Sequence, residues 1–209
     1  HAMEPAERLL QRFDCYRGAH IMRLDHFNCQ VPAVRPAYEF YTGELGFRLT
    51  EYTETEEAEP RLWAVWLHRK GNVHDLALMN GKGPRLHHVG FWLPDALAVL
   101  RACDVLAGAR MHEAIERGPG RHGISNALFL YLRDPAGNRI ELYASDYLTV
   151  DPDFAPIRWS INDPRRQTFW GHAAPACWFE EAALVETIAG DSFMPVREGE
   201  LADRPQFVT

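Results

Sequence analysis

An internal repeat with an offset of 62 residues is the feature that most constrains how this chain can fold. The segment 24–28 (LDHFN) aligns with 86–90 (LHHVG), and the same offset carries 45–48 (LGFR) onto 107–110 (AGAR). The repeat is weak, but one register matches both a strand-like segment and a later helix end. This agreement indicates a duplicated structural unit. We therefore expect two copies of one supersecondary module.

Each copy is predicted to contain a short strand, a helix that ends at a glycine, and then three strands. The helices are predicted at about 36–45 and 94–106 and end at Gly46 and Gly108. The later strands are predicted near 47–53, 62–68 and 73–79 in the first copy and near 110–117, 126–132 and 138–144 in the second. Two such βαβββ modules side by side, with more strands than helices, predict an α+β fold.

Three regions follow from this pattern. Residues 1–20 are interpreted as a cloning-tag remnant and a linker helix, and residues 21–147 as a metal-binding domain with modules at about 21–82 and 84–147. Residues 148–209 form a turn-rich C-terminal tail with scattered tryptophans. We expect this tail to wrap the domain, either as an active-site lid or as cover for the core, with loose order beyond about 195.

Charge and composition exclude several classes of function. The net charge of −7 disfavours nucleic-acid binding, and the longest apolar runs, such as 89–93, are too short to cross a bilayer. The first residues lack the features of a signal peptide. Four scattered cysteines without a C-x-x-C pair argue against a disulfide framework or a thiolate zinc site. These features predict a cytoplasmic protein with no nucleic-acid or membrane partner.

Two histidines occupy equivalent positions in the repeat, His26 in the first module and His88 in the second. Strand alternation places His88 and Gly90 on one face of their strand and His87 on the other. A single strand histidine is usually a packing residue. Two at equivalent positions would face each other across a pseudo-symmetric cavity, which favours a metal-ligand pair.

A carboxylate near the end of the second module is a candidate third ligand. Ile140 and Leu142 are predicted to face the core, so Glu141 points to the opposite face, where a metal would offset the cost of burying its charge. The offset of 62 carries Glu141 onto Met79, so the first module supplies no matching carboxylate. Two histidines and one carboxylate form the facial arrangement of non-haem Fe(II) oxygenases. The alternative is a half-exposed glutamate paired with Arg139.

The spacing around this glutamate is specific. The chain reads GRH at 120–122, LY at 130–131 after seven residues, DPAG at 134–137 after two more, and Glu141 after a further three. With the segments around His26 and His88, this pattern resembles the extradiol ring-cleavage dioxygenases of the vicinal oxygen chelate superfamily. The segments 68–75, 116–123 and 170–171 make the resemblance greatest to 3,4-dihydroxyphenylacetate (homoprotocatechuate) 2,3-dioxygenases.

The resemblance extends over about 7–180. Full-length members carry a further N-terminal pair of βαβββ modules without metal, so the chain resembles their C-terminal catalytic half. The resemblance implies that His26, His88 and Glu141 hold Fe(II), with Mn(II) as a substitute. It also implies a catecholic substrate, O₂ as co-substrate, and a homo-oligomer for the full-length protein.

Further residues take roles from the same resemblance. It implies that His74 is the general acid–base, that Tyr131 contacts the substrate, and that His122, after a glycine-rich turn, supports the catecholate. The predicted substrate-binding residues are Asn28, Trp66, Arg117 and Arg166, the two arginines pairing with a substrate carboxylate. Each of these side chains also has an ordinary structural interpretation, as a core aromatic or a solvated surface group.

The implied reaction is cleavage of 3,4-dihydroxyphenylacetate by O₂ to 5-carboxymethyl-2-hydroxymuconate semialdehyde, as in bacterial aromatic degradation. One alternative is an extradiol enzyme for another catechol. A second is a fragment that binds metal and catechol but is inactive without the N-terminal half. Isomerases and thiol transferases of the same superfamily use a glutamate from each module, and Met79 argues against them.

Overall fold

Ten strands form one mixed sheet in the part of the chain that the computed structural model describes, residues 16–201. The predicted tag remnant, most of the predicted linker helix (1–15) and residues 202–209 lie outside the described residues. The first module consists of β1 (Arg23–Val31), α1 (Val34–Gly43), β2 (Arg48–Glu54), β3 (Leu62–His68) and β4 (Leu76–Asn80). The second consists of β5 (Arg85–Trp92), α2 (Ala96–Gly108), β6 (Ile115–Arg121), β7 (Leu128–Arg133) and β8 (Arg139–Ala144).

The strand order is β6-β7-β8-β5-β1-β4-β3-β2, with the two modules meeting at the antiparallel β5–β1 pair. The order reads the same outward from that pair in both directions, so the sheet has a pseudo-two-fold axis between the modules. The α+β fold of two paired βαβββ modules is confirmed.

The two helices cover one face of the sheet and leave the other face to a cavity. On β7, Leu130 and Leu132 pack beneath α2, whereas Phe129 and Tyr131 point to the opposite face. The same alternation on β3 places Val65 beneath α1. Period-two alternation therefore separates the apolar core from the candidate site.

The helix ends differ from the prediction in detail. α1 ends at Gly43, and Gly46 takes the predicted left-handed conformation (φ 66°) three residues later. α2 ends at Gly108, but the left-handed residue is Arg110 (φ 59°), so the role predicted for Gly108 is wrong. A short 3-10 turn at His112–Ala114 then delays β6, which begins at Ile115 rather than near 110.

Four register shifts occur at equivalent places in the two modules. One lies at Asp25 in β1 and its counterpart at His87 in β5; the others lie between Leu49 and Glu51 in β2 and between Ile115 and Arg117 in β6. A bulge places consecutive side chains on the same side of a strand. Alternation predicted His87 on the face opposite His88, and this is wrong: the two rings are buried together on one side.

The pairing register also corrects the equivalence between the modules. Glu141 lies beside Gly90, and the counterpart of Gly90 in β1, Asn28, lies beside Ala77. The structural equivalent of Glu141 is therefore Ala77, because the second module is longer by two residues at this point. Met79 is instead the equivalent of Tyr143. The first module still supplies no carboxylate.

The C-terminal tail joins the sheet at two places. β9 (Ile157–Ser160) runs parallel to β2, and β10 (Ala183–Leu184) pairs with β5 beside the short helix α3 (Cys177–Glu180). The loose order expected beyond about 195 is wrong up to residue 201: the Asn80 side chain makes two hydrogen bonds to the Leu201 backbone. No helix in the described residues is long and apolar enough to cross a membrane.

Candidate metal centre and active-site cavity

One cavity, on the sheet face opposite α1 and α2, brings together the whole set of predicted site residues. They come from both modules and the tail: His26, Asn28, Trp66, His74, His88, Arg117, His122, Tyr131, Glu141 and Arg166. The sequence placed these side chains in eight separate segments. The fold converges them because β1, β4, β5 and β8 are neighbours at the centre of the sheet.

The three predicted metal ligands meet at one oxygen atom. The Nε2 atoms of His26 and His88 lie 2.9 Å and 3.2 Å from Oε2 of Glu141. All three side chains are buried, and Oε1 of Glu141 has no hydrogen-bond partner in the described protein. The group thus presents two imidazole nitrogens and one carboxylate on one side of a small space.

The supporting hydrogen bonds orient both imidazoles toward this space. Nδ1 of His26 lies 3.1 Å from Oδ2 of Asp25, a carboxylate that can only accept, so Nδ1 carries the hydrogen. His87 donates from Nε2 to the Trp178 carbonyl (2.7 Å), which leaves its Nδ1 to accept from Nδ1 of His88 (2.7 Å). In both ligands Nε2 is therefore the nitrogen available to a metal.

Asp25 and His87 stand at the two equivalent bulges of β1 and β5. Each bulge thereby places a supporting side chain immediately before a ligand histidine, with both pointing to the interior. Neither residue was assigned this role from the sequence, because a bulge leaves no local signal in strand alternation.

The absence of a side chain at Gly90 leaves room for the His26 ring. A Cβ atom at this position would lie 2.2–2.7 Å from three atoms of the ring. Glycine is therefore required by close approach of the ligand, and its equivalent in β1 is Asn28, a cavity-lining residue. The two halves of the site are not interchangeable at this point.

The electrostatics suit a cation. Burial disfavours the charge on Glu141, but the adjacent imidazoles of His122, His26 and His88, together with the positive charge on His26, hold its pKa well below the usual range. Burial lowers the pKa of His88 to about 4. Burial also opposes charge on His26, yet hydrogen bonds to Asp25 and Glu141 outweigh it and raise the pKa to about 9. In the absence of a metal, a proton on His26 partly balances the buried carboxylate.

The residues present fit a divalent metal. Two oriented Nε2 atoms, an ionised buried carboxylate and an unpartnered Oε1 constitute a two-histidine, one-carboxylate facial set. Oxygen and imidazole donors without thiolate suit Fe(II) or Mn(II). Among the described residues, a second group of close potential ligands contains Glu116, Cys177 and Glu181. Its two carboxylates are paired with arginines instead, and the Cys177 thiol donates to Glu116.

His74 reaches the cavity from a loop rather than from a strand as predicted. It lies before β4 in the segment 69–75, which the Asp75 carboxylate closes by accepting the N–H groups of Arg69 and Lys70. The His74 ring lies 4.2 Å from that of His26, and its Nδ1 is buried without a hydrogen-bond partner in the described protein. Burial and the neighbouring charge of His26 hold the pKa of His74 well below 6.5.

His122 and Tyr131 form a short hydrogen-bonded chain. Nδ1 of His122 donates to the Gln167 carbonyl (2.5 Å), and Nε2 lies 3.0 Å from the Tyr131 hydroxyl. The glycines before His122 lie within β6 rather than in a turn: a Cβ at Gly120 would meet the Phe129 ring at 2.5 Å. At Gly120 the small residue makes room for this aromatic ring, whereas Gly118 has a φ of 101°, which favours glycine.

The two predicted substrate arginines differ in their surroundings. Arg117 lies between the rings of Phe129 and Trp178, and its guanidinium donates to the Gln167 carbonyl and the Thr168 hydroxyl. Arg166 is fully buried and lies over the Trp63 ring. Burial lowers the pKa of Arg117 to about 10 and that of Arg166 to about 9, so both remain charged at neutral pH.

Several cavity residues were missed from the sequence: Trp63, Met79, Ile124, Ser125, Tyr143, Gln167 and Trp178. Tyr143 could have been found, since it lies two residues after Glu141 and therefore on the same strand face. Trp178, whose ring packs edge-on against Tyr131 and His87, had no local signal because the tail brings it from outside both modules.

Comparison of the sequence with known proteins gives one family match and several related dioxygenases. Residues 23–142 match the family described as the Glyoxalase/Bleomycin resistance protein/Dioxygenase superfamily. The chain is 36% identical over 154 residues to a manganese-dependent 2,3-dihydroxybiphenyl 1,2-dioxygenase from Geobacillus genomosp. 3, covering 71% of this chain and 47% of the relative. It is 33% identical to a metapyrocatechase from Geobacillus stearothermophilus, with coverages of 82% and 53%.

The fold is also similar to solved structures of an extradiol dioxygenase. An anaerobic substrate complex of homoprotocatechuate 2,3-dioxygenase from Brevibacterium fuscum, with 3,4-dihydroxyphenylacetate, matches with a TM-score of 0.80 and 43% identity, covering 91% of this chain and 59% of that one. A variant of the B. fuscum enzyme in complex with HPCA matches with a TM-score of 0.81 and 43% identity, at 93% and 53% coverage. The chain thus spans about half the length of these relatives.

Proposed function

The chain belongs to the Glyoxalase/Bleomycin resistance protein/Dioxygenase superfamily, and from this premise we propose that it carries the site of an extradiol catechol dioxygenase. The observation that carries the proposal is the convergence of His26, His88 and Glu141 at one point of a cavity that also holds His74 and Tyr131. The reaction adds both atoms of O₂ across the bond beside the diol and gives a ring-opened semialdehyde.

His26, His88 and Glu141 would hold Fe(II), with Mn(II) as the alternative that the manganese-dependent relative supports. A bound divalent metal would act as a Lewis acid on the catechol and as a template for both substrates. The ligand set would leave part of the metal's surroundings to exogenous groups, because three protein donors converge there among residues 16–201.

His74 is the proposed acid–base. Its low pKa keeps the imidazole neutral at pH 7, so it can accept a proton from a catechol hydroxyl and return it later. Tyr131 remains protonated, because burial raises the pKa of its hydroxyl well above 10. Its hydroxyl donates to Nε2 of His122, whose Nδ1–H is fixed by the Gln167 carbonyl, and this fixes where the tyrosine oxygen stands.

We propose 3,4-dihydroxyphenylacetate as the preferred substrate. The cavity contains two buried guanidinium groups, Arg117 and Arg166, and one carboxylate that a metal would neutralise, so an anionic substrate balances the remaining positive charge. The similarity to a structure solved with this compound supports the choice. The relatives named for catechol and dihydroxybiphenyl cleavage favour, in contrast, a neutral substrate as the alternative.

An aerobic assay of the Fe(II)-reconstituted chain tests this function through the yellow ring-fission product. We expect turnover of 3,4-dihydroxyphenylacetate to exceed that of catechol and of 3,4-dihydroxybenzoate, and His26→Ala to abolish it. Colour with catechol alone would contradict the proposed substrate. Metal and catechol binding without colour would favour a catalytic half that needs its N-terminal partner, in keeping with its coverage of the relatives.

A further inference from the structure

A buried carboxylate behind the cavity wall has no role in the site described so far. Glu51 lies on β2 and has no exposed surface. Its Oε1 accepts from the Ser125 backbone N–H (2.6 Å) and the Tyr147 hydroxyl (2.7 Å), and its Oε2 accepts from Nε1 of Trp159 (2.5 Å). These hydrogen-bond donors are neutral, so Glu51 is not held by an ion pair.

The three donors belong to three segments that contribute to the cavity or support it. Ser125 lines the cavity itself. Trp159 packs against the cluster that contains Trp63 and Trp66, which are cavity residues. Tyr147 marks the end of the second module. A single side chain of the first module therefore joins the second module and the C-terminal tail.

The turn that Glu51 holds has an uncommon backbone conformation. Ser125 and Asn126 have φ values of 60° and 54°, in the left-handed region that is unfavourable for a non-glycine residue. The N–H of Gly123 donates to the Arg165 carbonyl, and a Cβ there would lie 2.4 Å from that oxygen and 2.9 Å from the Trp159 ring. The turn and the tail before Arg166 interlock closely.

The pseudo-symmetry gives Glu51 an equivalent. Glu51 pairs with Trp66 across β2 and β3, as Arg117 pairs with Tyr131 across β6 and β7. Arg117 also bonds the tail, at Gln167 and Thr168. The outermost strand of each module thus bears a buried charge just after a bulge. Both charged side chains bond the same tail, Glu51 at Trp159 and Arg117 at 167–168.

We propose that Glu51 is a positioning residue for the organic substrate: it fixes the 123–126 turn and the tail so that Ile124, Ser125 and Arg166 form their part of the substrate wall. This inference rests on the proposed function for the identity of the substrate. Glu51 does not line the cavity, and its side chain acts only through the groups it bonds.

The test is Glu51→Gln, which keeps the shape but presents an amide N–H₂ group to donors that need an acceptor. We expect unchanged metal content, kcat within about 2-fold, and a KM for 3,4-dihydroxyphenylacetate raised by about 10-fold, because a misplaced wall weakens substrate binding. The amide protons of 123–126 should exchange faster with solvent, a readout that does not depend on turnover.

Glu54→Gln is the matched control. Glu54 lies on the same strand and also bonds the tail, through Arg158, but at the partly exposed surface. Its KM should stay within about 2-fold of wild type. Trp159→Phe, which removes one donor and leaves the carboxylate, should raise KM in the same direction by a smaller factor, and it serves if Glu51→Gln does not fold.

The outcomes separate the two proposals. A wild-type chain that neither binds nor turns over a catechol would refute the proposed function, whatever the variants do. Normal wild-type turnover with an unchanged KM in a folded Glu51→Gln variant would overturn the role of Glu51. A variant with less bound metal, a lower kcat and a raised KM together would also overturn it, because the residue would then support the whole fold rather than the substrate wall.

Discussion

The two modules share a backbone down to the positions of their bulges, yet they contribute different chemistry to the cavity. At equivalent positions the side chains of the two modules differ in size, polarity or sign of charge. The first module has Ala77 for Glu141, Met79 for Tyr143, Trp66 for Tyr131 and Glu51 for Arg117. By contrast, the predicted ligand histidines, His26 and His88, match in kind. Duplication therefore accounts for the frame of the site and not for its chemistry.

The difference has a physical use. A symmetric site would present two histidines and two carboxylates, and the second carboxylate would compete for the metal with the proposed catechol and O₂. Ala77 supplies no such carboxylate, while Glu141 supplies the one carboxylate of the proposed ligand set. The supports of the histidines differ in the same way: a carboxylate, Asp25, orients His26, whereas a neutral imidazole, His87, orients His88.

The largest expected effect comes from making the second module like the first at this position. Glu141→Ala should reduce bound metal from about one per chain to less than a tenth and lower turnover by at least about 1,000-fold, because two neutral histidines bind a divalent ion weakly. Metal analysis after dialysis measures it. The exposed Glu113→Ala is the control, and full metal retention in Glu141→Ala would refute the ligand assignment.

A second comparison uses the equivalent residues Gly90 and Asn28. Gly90→Ala should weaken metal binding by about 10- to 100-fold, because the added methyl group overlaps the His26 ring and displaces a ligand. Asn28→Ala removes atoms at the equivalent position of β1 and should leave metal affinity nearly unchanged while weakening substrate binding. Metal titration of both variants decides the matter: equal effects would show that the steric asymmetry is unimportant.

The equivalent aromatic residues Tyr131 and Trp66 give a smaller, kinetic contrast. Tyr131→Phe should lower kcat by about 10- to 100-fold with little change in KM, because it removes only the hydroxyl that His122 orients. Trp66→Phe shortens the cavity wall and should mainly raise KM. Steady-state kinetics with 3,4-dihydroxyphenylacetate distinguishes them, and a kcat unaffected by Tyr131→Phe would remove this tyrosine from the chemistry.

The repeat was enough to predict the α+β class, because two copies of one βαβββ module supply more strands than helices. Alternation and pseudo-symmetry indicated His26 and His88 as a facing pair and Glu141 as a candidate, and the resemblance made the three a ligand set. The resemblance, not the pattern, supplied His74, which stands in a loop whose path depends on the Asp75 carboxylate.

Bulges and chain length limited what the sequence could predict. A bulge reverses alternation locally, so the inward position of His87 was missed, and two extra residues in the second module shifted the equivalent of Glu141 from Met79 to Ala77. Long-range contacts limited it further. Trp178 and Glu51 act through partners on other segments, and no short window of sequence contains both members of such a pair.

Two carboxylates at or just after the equivalent bulges of β2 and β6, Glu51 and Glu116, give the last and smallest contrast, which is one of pH dependence. Partial burial would raise the pKa of Glu116, but hydrogen bonds from Arg139 and Arg133 outweigh it and lower the pKa to about 2. Burial raises the pKa of Glu51, and hydrogen bonds from its neutral donors do not fully offset it. The two groups therefore respond to acid in opposite directions.

A lowered carboxyl pKa contributes stability above its ordinary value of 4.5, and that stability is lost as the pH falls toward about 2. Glu116→Gln should thus lower the free energy of unfolding by about 1–2 kcal/mol at pH 7, with the difference from wild type shrinking below pH 4.5. For Glu51→Gln the contribution of titration has the opposite slope, because the folded state binds the proton more readily. Urea unfolding of metal-free protein from pH 3 to 7 measures both slopes, and parallel profiles would mean that the two modules do not differ in charge stabilisation.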